Sequence, residues 1–328
     1  MKLPHRRKFL RLAACAAALR FAPHVARAQA YPTRPVRIIV GFTARGTTDI
    51  LGRLIGRTLS ERMGQQFVVE NLVGAGGTVA TETVARAAPD GYTLLLASSA
   101  DAVNATLYEK LDYNFICDIA PVAHIFRCPL VVVAAPSFPA QTIPELIAYA
   151  KSNPGKVNMA SAGNNGSVNH VAGELFKVMA GIDMVHVPYR GAGPAIAALL
   201  GGQVQVLLFA FAPACIQYVR TGKLRALAVT ATPRLEAMPY IPTVGEFIPG
   251  YEASSFFGIC APKSTPSEIV EKLNREINAA ITDPEMKALL ADSGGAAIAA
   301  SAADFGTLVA DETEKWAKLI RAANIKPE

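Results

Sequence analysis

Val36-Arg37-Ile38-Ile39-Val40-Gly41-Phe42-Thr43-Ala44-Arg45-Gly46-Thr47-Thr48-Asp49-Ile50-Leu51-Gly52-Arg53 is the stretch on which the fold turns. Residues 36–40 are a short β-branched run of the kind a parallel strand buries on both faces. Thr47 or Thr48, followed by Ile50, Leu51, Leu54 and Ile55, reads as a helix start. Between the two lies a tight, polar, glycine-containing loop. In an open α/β sheet such a loop sits at the carboxyl end of its strand, where the first N–H groups of the next helix lack intrahelical partners and point into a crevice. That geometry suits an anion.

A single loop of this kind reads as an ordinary connection. Here it recurs: Ser161-Ala162-Gly163-Asn164-Asn165-Gly166-Ser167 follows the strand-like residues 157–160. It precedes an apolar face of Val168, Val171, Ala172, Leu175, Phe176 and Met179. Two such helix starts, about 120 residues apart, can face each other across one guest.

Working outward, residues 1–30 stand apart from the fold. They hold seven Lys or Arg and no acid, carry Arg6-Arg7-Lys8-Phe9-Leu10-Arg11, then the apolar run 12–19, and end on Ala28-Gln29-Ala30. This is a twin-arginine-like export signal with cleavage expected near Ala30. Cys15 lies at the front of the apolar run, the wrong place for lipidation. The whole chain carries a formal charge of +6, but without these residues 25 Lys and Arg face 26 Asp and Glu. The basic character belongs to the signal, so no nucleic-acid partner is expected. No uninterrupted apolar run is long enough to span a bilayer, and the exported product is expected to be soluble and monomeric. Cys117, Cys128, Cys215 and Cys260 show no metal or redox spacing; a Cys117–Cys128 bridge stays open, and no metal or cofactor is expected.

In chain order, strand and helix signals alternate: strand 36–40, helix 48–63, strand 67–70, helix 78–87, strand 93–97. Gly74-x-Gly76-Gly77 lacks the third glycine of a dinucleotide loop and reads as a close-packed helix entry. Ser98-Ser99-Ala100-Asp101 reads as a hydroxyl-bearing loop. Residues 122–126 and 130–134 read as two successive strands, the second crossing into another lobe. There the pattern continues as helix 144–151, strand 157–160, helix 168–179, strand 184–187, helix 194–200, strand 204–209, helix 214–220 and strand 225–230. Strand 256–261 reads as the return crossing. The helical tail (267–281, 284–292, 304–323) should pack on the first lobe. The expected division is lobe one at 31–129 and 253–328 and lobe two at 130–252, with two hinge strands.

These residues resemble the substrate-binding proteins of the tripartite tricarboxylate transporter family, also called Bug receptors. The likeness spans the chain after the signal, from Pro35-Val36-Arg37-Ile38-Ile39-Val40 through Ala88-Pro89-Asp90-Gly91-Tyr92-Thr93-Leu94 to Trp316-Ala317-Lys318-Leu319-Ile320. It is sharpest at His186-Val187-Pro188-Tyr189-Arg190-Gly191-Ala192-Gly193 and Leu199-Leu200-Gly201-Gly202-Gln203-Val204. The resemblance implies a periplasmic, two-lobed α/β binding protein of Venus-flytrap, type II-like form, each lobe a doubly wound, mostly parallel sheet. It also implies a small organic acid held in the cleft by the loops at 42–49 and 162–170, largely through backbone N–H groups and waters. One departure stands out: Ala44-Arg45-Gly46 replaces the family's Pro-Gly-Gly-like turn. Arg45 either clamps a carboxylate or points to solvent.

The expected ligand contacts are Phe42, Thr43, Ala44, Arg45, Gly46, Thr47, Thr48, Ser98 and Ser99 from lobe one. Lobe two contributes Gly163, Asn164, Asn165, Gly166, Ser167, His170, Tyr189, Arg190 and Gly191. Arg190 reads either as a second charge clamp or as a hinge-side ion pair, and His124 and His186 as strand-end packing residues. The partners implied are a small organic acid and either the membrane subunits of a tripartite tricarboxylate transporter or a membrane sensor. Catalysis is not expected. Ser167 with His170 is the nearest nucleophile–base pairing, and no orienting acid accompanies it.

Overall fold

The structure is a computed structural model describing residues 31–162, 166–189, 191–231, 234–235 and 238–327, with the backbone alone for 209–215. The expected export signal at 1–30 lies outside the described residues. The chain divides into Met1–Thr33, in which the Tyr31–Pro32 peptide is cis, and Arg34–Glu328. The following elements belong to Arg34–Glu328.

In order they are β1 (Val36–Val40), α1 (Thr47–Met63), β2 (Phe67–Asn71), a 3₁₀ turn (Ala75–Gly77), α2 (Thr78–Ala85), β3 (Thr93–Ser98), α3 (Ser99–Leu107), α4 (Phe115–Asp118) and β4 (Ile119–Ala134). Then come α5 (Ile143–Ser152), β5 (Asn158–Ala162), α6 (Val168–Ala180), β6 (Val185–Tyr189), α7 (Ala192–Leu200), β7 (Val206–Phe211), α8 (Ala212–Arg220) and β8 (Arg225–Val229). The chain ends with β9 (Ser254–Pro262), α9 (Ser267–Ile281), α10 (Pro284–Asp292), β10 (Ala296–Ala297) and α11 (Ala302–Ala322).

The strands follow the order β2-β1-β3-β9-β4-β7-β5-β6, with β8 and β10 attached to β4. β1 is parallel to β2 and β3, in register Ile38↔Val69 and Ile38↔Leu94. β5 is parallel to β6 and β7. The parallel reading therefore describes the outer strands of each half, while β9 runs antiparallel to β3 and β4 at the centre. Each parallel group sends its carboxyl ends, and the loops that follow them, to one edge.

β4 corrects the reading of 122–126 and 130–134 as two strands: it is one strand of 16 residues. Its first part pairs with β9 as far as Pro129↔Ser254, and from Leu130 onward it pairs with β7 and β8 instead. Pro129 has no N–H to offer a ladder, and it sits where the partner changes. The sheet divides there into two halves joined through β4. The chain returns at Ala253, whose N–H donates to the Thr230 carbonyl before β9 begins.

Alternation along β4 explains its apolar run. Leu130, Val132 and Ala134 face a core that also holds Phe176, Phe256 and Trp316, while Val131 and Val133 face one containing Ile196, Leu199 and Leu207. Both faces are covered, so no polar residue interrupts the run. In the tail, α11 buries Phe305, Val309, Trp316 and Ile320 and packs on α3 and β4, as expected, while also touching α6. α3, α4 and β10 were not anticipated.

Candidate functional site

Loop one leaves β1 at Gly41, which passes so close to Gly77 that a β-carbon on it would stand 2.8 Å from the Gly77 Cα. The Phe42 ring also lies against Gly77, 3.5 Å from where a β-carbon would be. Thr43, Ala44, Arg45 and Thr47 are exposed, Phe42 and Gly46 half-buried, and Thr48 buried. Arg45 adopts φ +69, the left-handed region, and its guanidinium bonds to none of the described residues. α1 starts on Gly46, which supplies no side-chain cap, so its first N–H groups are left for water or a guest.

The residue that shapes this loop was missed in the sequence. The carboxylate of Asp49, 2% exposed, accepts the Arg45 N–H at 2.8 Å, the Asn71 amide at 2.9 Å and the Arg53 guanidinium at 2.9 Å. Asn71 also donates to the Phe42 carbonyl at 2.9 Å. Burial pushes the Asp49 carboxyl up, but the bonds from Arg53, the Arg45 N–H and Asn71 outweigh it and hold the group at about 2. An internal anion thus consumes the Arg45 N–H and fixes the turn. The signal for it was an acid in the first turn of the helix.

At the end of β3, the Ser98 hydroxyl accepts the Ala100 N–H at 3.3 Å, and Asp101 accepts the Ser98 N–H at 2.8 Å. This capping box starts α3 where the sequence was read as loop, and Ser98-x-x-Asp101 was the signal for it. The Ser99 hydroxyl accepts the Phe256 N–H at 2.8 Å and lies 3.4 Å from the Ser254 carbonyl. Both hydroxyls therefore serve a helix cap and the β3–β9 seam. Asp101 is also bonded to Thr81 Oγ1 at 2.6 Å, and burial pushes its carboxyl up to about 6. Along α3, Asn104 donates to the Gly76 carbonyl at 2.9 Å.

Loop two follows β5. Gly163, Asn164, Asn165 and, after β6, Arg190 lie outside the described residues. Gly166, at φ +79, is buried, and Ser167 caps α6 by accepting the His170 N–H at 3.3 Å. His170 Nδ1 accepts the Gly166 N–H at 2.9 Å. The Ser167 and His170 side chains do not form the nucleophile–base pair considered above. The Ser–His side-chain contact is instead between Ser161 Oγ and His186 Nε2, 2.7 Å apart, with Ser161 fully buried. The His170 and His186 rings stack, with centroids 3.8 Å apart and planes 6° from parallel. Burial, then the neighbouring His170, pushes His186 down to about 4. β6 is the parallel neighbour of β5, with Ala162↔Tyr189 in register, so Tyr189 and Gly191 emerge beside loop two. α7, like α1, starts on a glycine without a side-chain cap, Gly191.

The two loops are linked through a run of close contacts. Phe42 lies on Gly77; Gly76 faces Asn104 and the Tyr108 hydroxyl; and Leu107, at the end of α3, faces Gly166, where a β-carbon would stand 2.1 Å from Leu107 Cδ2. The arrangement offers neutral N–H donors at α1 and α7, the apolar wall of Phe42 and the exposed Arg45 cation. That set suits an organic anion. A surface groove of about 610 Å³ lies elsewhere, between α1, α9 and α10. Its cations Arg57 and Arg62 are paired with Glu61 and Glu276, which leaves them poorly placed to bind an acid. Among the described residues no cluster of His, Cys, Asp and Glu could hold a metal. Cys117 carries a free thiol, so the bridge left open between it and Cys128 is absent.

Comparison with known proteins agrees with this geometry. Residues 51–325 match the model of the tripartite tricarboxylate transporter family receptor. The protein BugT of Bordetella pertussis is 37% identical over 91% of this chain and 92% of its own. An R. palustris protein solved with adipate is 35% identical with a TM-score of 0.79, covering 91% of this chain and 100% of that one. MatC from Rhodopseudomonas palustris with bound malate is 32% identical with a TM-score of 0.75, covering 88% and 100%. The two-lobed α/β fold, the paired loops and this similarity along the chain agree: the chain belongs to the tripartite tricarboxylate transporter receptor family.

Proposed function

We propose that the protein is a periplasmic solute receptor that captures a small organic carboxylate between 31–129 with 253–328 and 130–252, closes over it, and hands it to the membrane subunits of a tripartite tricarboxylate transporter. The observation that carries this reading is the pair of strand-to-helix loops, one in each half, linked through Leu107 and Gly166 and flanked by the glycine starts of α1 and α7. The guest's carboxylate meets those N–H groups, Phe42 covers its carbon chain, and Arg45 stands at the mouth. Adipate and malate, bound by two relatives, set the size class. The protein acts by binding, not catalysis. Residues 1–30 export it.

A thermal-shift screen of residues 31–328 against aliphatic mono-, di- and tricarboxylates tests the reading. A dicarboxylate present at a hundred times its Kd should stabilise the fold by about 2.7 kcal/mol, with a saturable rise in Tm. If every acid leaves Tm unchanged at millimolar concentration, and calorimetry shows no heat of binding, the receptor reading fails.

A further inference from the structure

We propose that His170 is a positioning residue and does not contact the ligand: by accepting the Gly166 N–H at Nδ1, it sets where loop two meets Leu107 of the other half. The proposal rests on the receptor reading above and assigns the ring a role within that site.

Both edges of the ring and one of its faces are occupied. Nδ1 accepts the Gly166 N–H at 2.9 Å, which leaves the proton on Nε2. That edge faces Glu174 Oε1 at 3.6 Å, and Glu174 is in turn bonded by Lys177 at 2.9 Å. One flat face lies on His186, which Ser161 holds from β5 at 2.7 Å. His170 itself is 8% exposed. A side chain held on both edges and one face reports the position of β5, β6 and α6 to whatever it binds, and what it binds is Gly166, the loop-two residue next to the α6 cap.

Gly166 is the point where that position matters. Its φ of +79 belongs to the left-handed region, and its α-carbon packs against Leu107 with no room for a β-carbon. Its N–H points inward to the imidazole, so it is not one of the donors offered to a guest. The ring thus anchors the glycine that packs against α3. Without that bond the glycine N–H is buried and unpaired, and the loop shifts to satisfy it.

Side-chain geometry separates this role from ligand contact. Asn places Oδ1 near the position of His Nδ1, whereas Gln places its amide near Nε2. The experiment compares His170→Asn, His170→Gln and His170→Phe, using adipate and malate as calorimetric probes and the hydrogen exchange of the Gly166 amide as a ligand-free readout. His170→Asn should restore affinity to within about threefold of the native chain and keep the amide protected. His170→Gln and His170→Phe should lose at least tenfold in affinity and expose the amide. Rescue by Gln and not Asn overturns the proposal, because Nε2 would then be the working atom; equal behaviour of all three overturns it as well. If neither acid binds the native chain, the wider acid panel decides the receptor reading separately. The exchange pattern then decides alone: protection in Asn with loss in Gln supports the positioning role, and a uniform pattern rejects it.

Discussion

Arg45 holds a left-handed backbone conformation, φ +69, that costs a residue with a β-carbon about 1–2 kcal/mol and glycine almost nothing. Glycine loses more chain entropy on folding, so Arg45→Gly is expected to stabilise the protein by a net ~0.5–1 kcal/mol. Chemical denaturation at neutral pH reads this directly, and an Arg45→Gly variant less stable than the native chain would show that the conformation carries no penalty. Two buried groups act in opposite directions on acid stability. Burial, then the charge of Arg127, pushes His124 down to about 4, so between an unfolded value of about 6.5 and 4 the unfolded chain takes up a proton that the folded chain refuses. The stability that His124 contributes is present above about pH 6.5 and lost as pH falls towards 4. Asp101, raised to about 6, does the reverse: its contribution is present below the unfolded value of about 4 and lost as pH rises through 6. Denaturant midpoints between pH 7 and 4 should therefore fall less steeply in His124→Leu than in the native chain, and more steeply in Asp101→Asn. Slopes unchanged in both variants would mean that neither group titrates differently on folding.

At the level of elements, legibility followed how much of a signal is local. α9 and α10 begin and end where the sequence places them, because Asp283 caps α10 and each helix repeats its apolar face within a few residues. The β1 loop and the α6 start were legible for the same reason: a β-branched run, a polar turn and a helical face are contiguous. β4 was not. Its middle carries Arg127 and Pro129, which look like a break, yet Arg127 finds Ser254 Oγ and Glu252, and Pro129 falls where the strand exchanges β9 for β7. Both compensations come from residues distant in the chain, Ser254 and Glu252 for Arg127 and the β7 strand at 206–211 for Pro129. α3 was lost for a different reason. Ser98 and Ser99 were weighed as hydroxyls for a guest, but the Ser98-x-x-Asp101 cap and the Phe256 N–H claim them first. The same competition hid Asp49, whose carboxylate fills part of the loop that the sequence offered as an open anion site.

For the whole molecule, the decisive contact is the one that brings loop two against the other half. A β-carbon on Gly166 would meet Leu107 at 2.1 Å, and the residue's φ of +79 adds strain to any side chain. Gly166→Ala thus acts on this junction in two ways, only one of which depends on Leu107. The steric part should be relieved by shortening the partner: Leu107→Ala removes the branch the methyl would strike, while the backbone strain of about 1–2 kcal/mol persists. Under the receptor reading, Gly166→Ala should weaken adipate binding at least tenfold, and the double variant Gly166→Ala/Leu107→Ala should recover part of that loss, because residues in contact are not additive. Both single variants are followed by Tm, so that a loss of fold is not mistaken for a loss of binding. Affinities that add across the cycle would mean that Gly166 and Leu107 act independently. The two halves would then have to be brought together by contacts other than the junction of α3 with loop two.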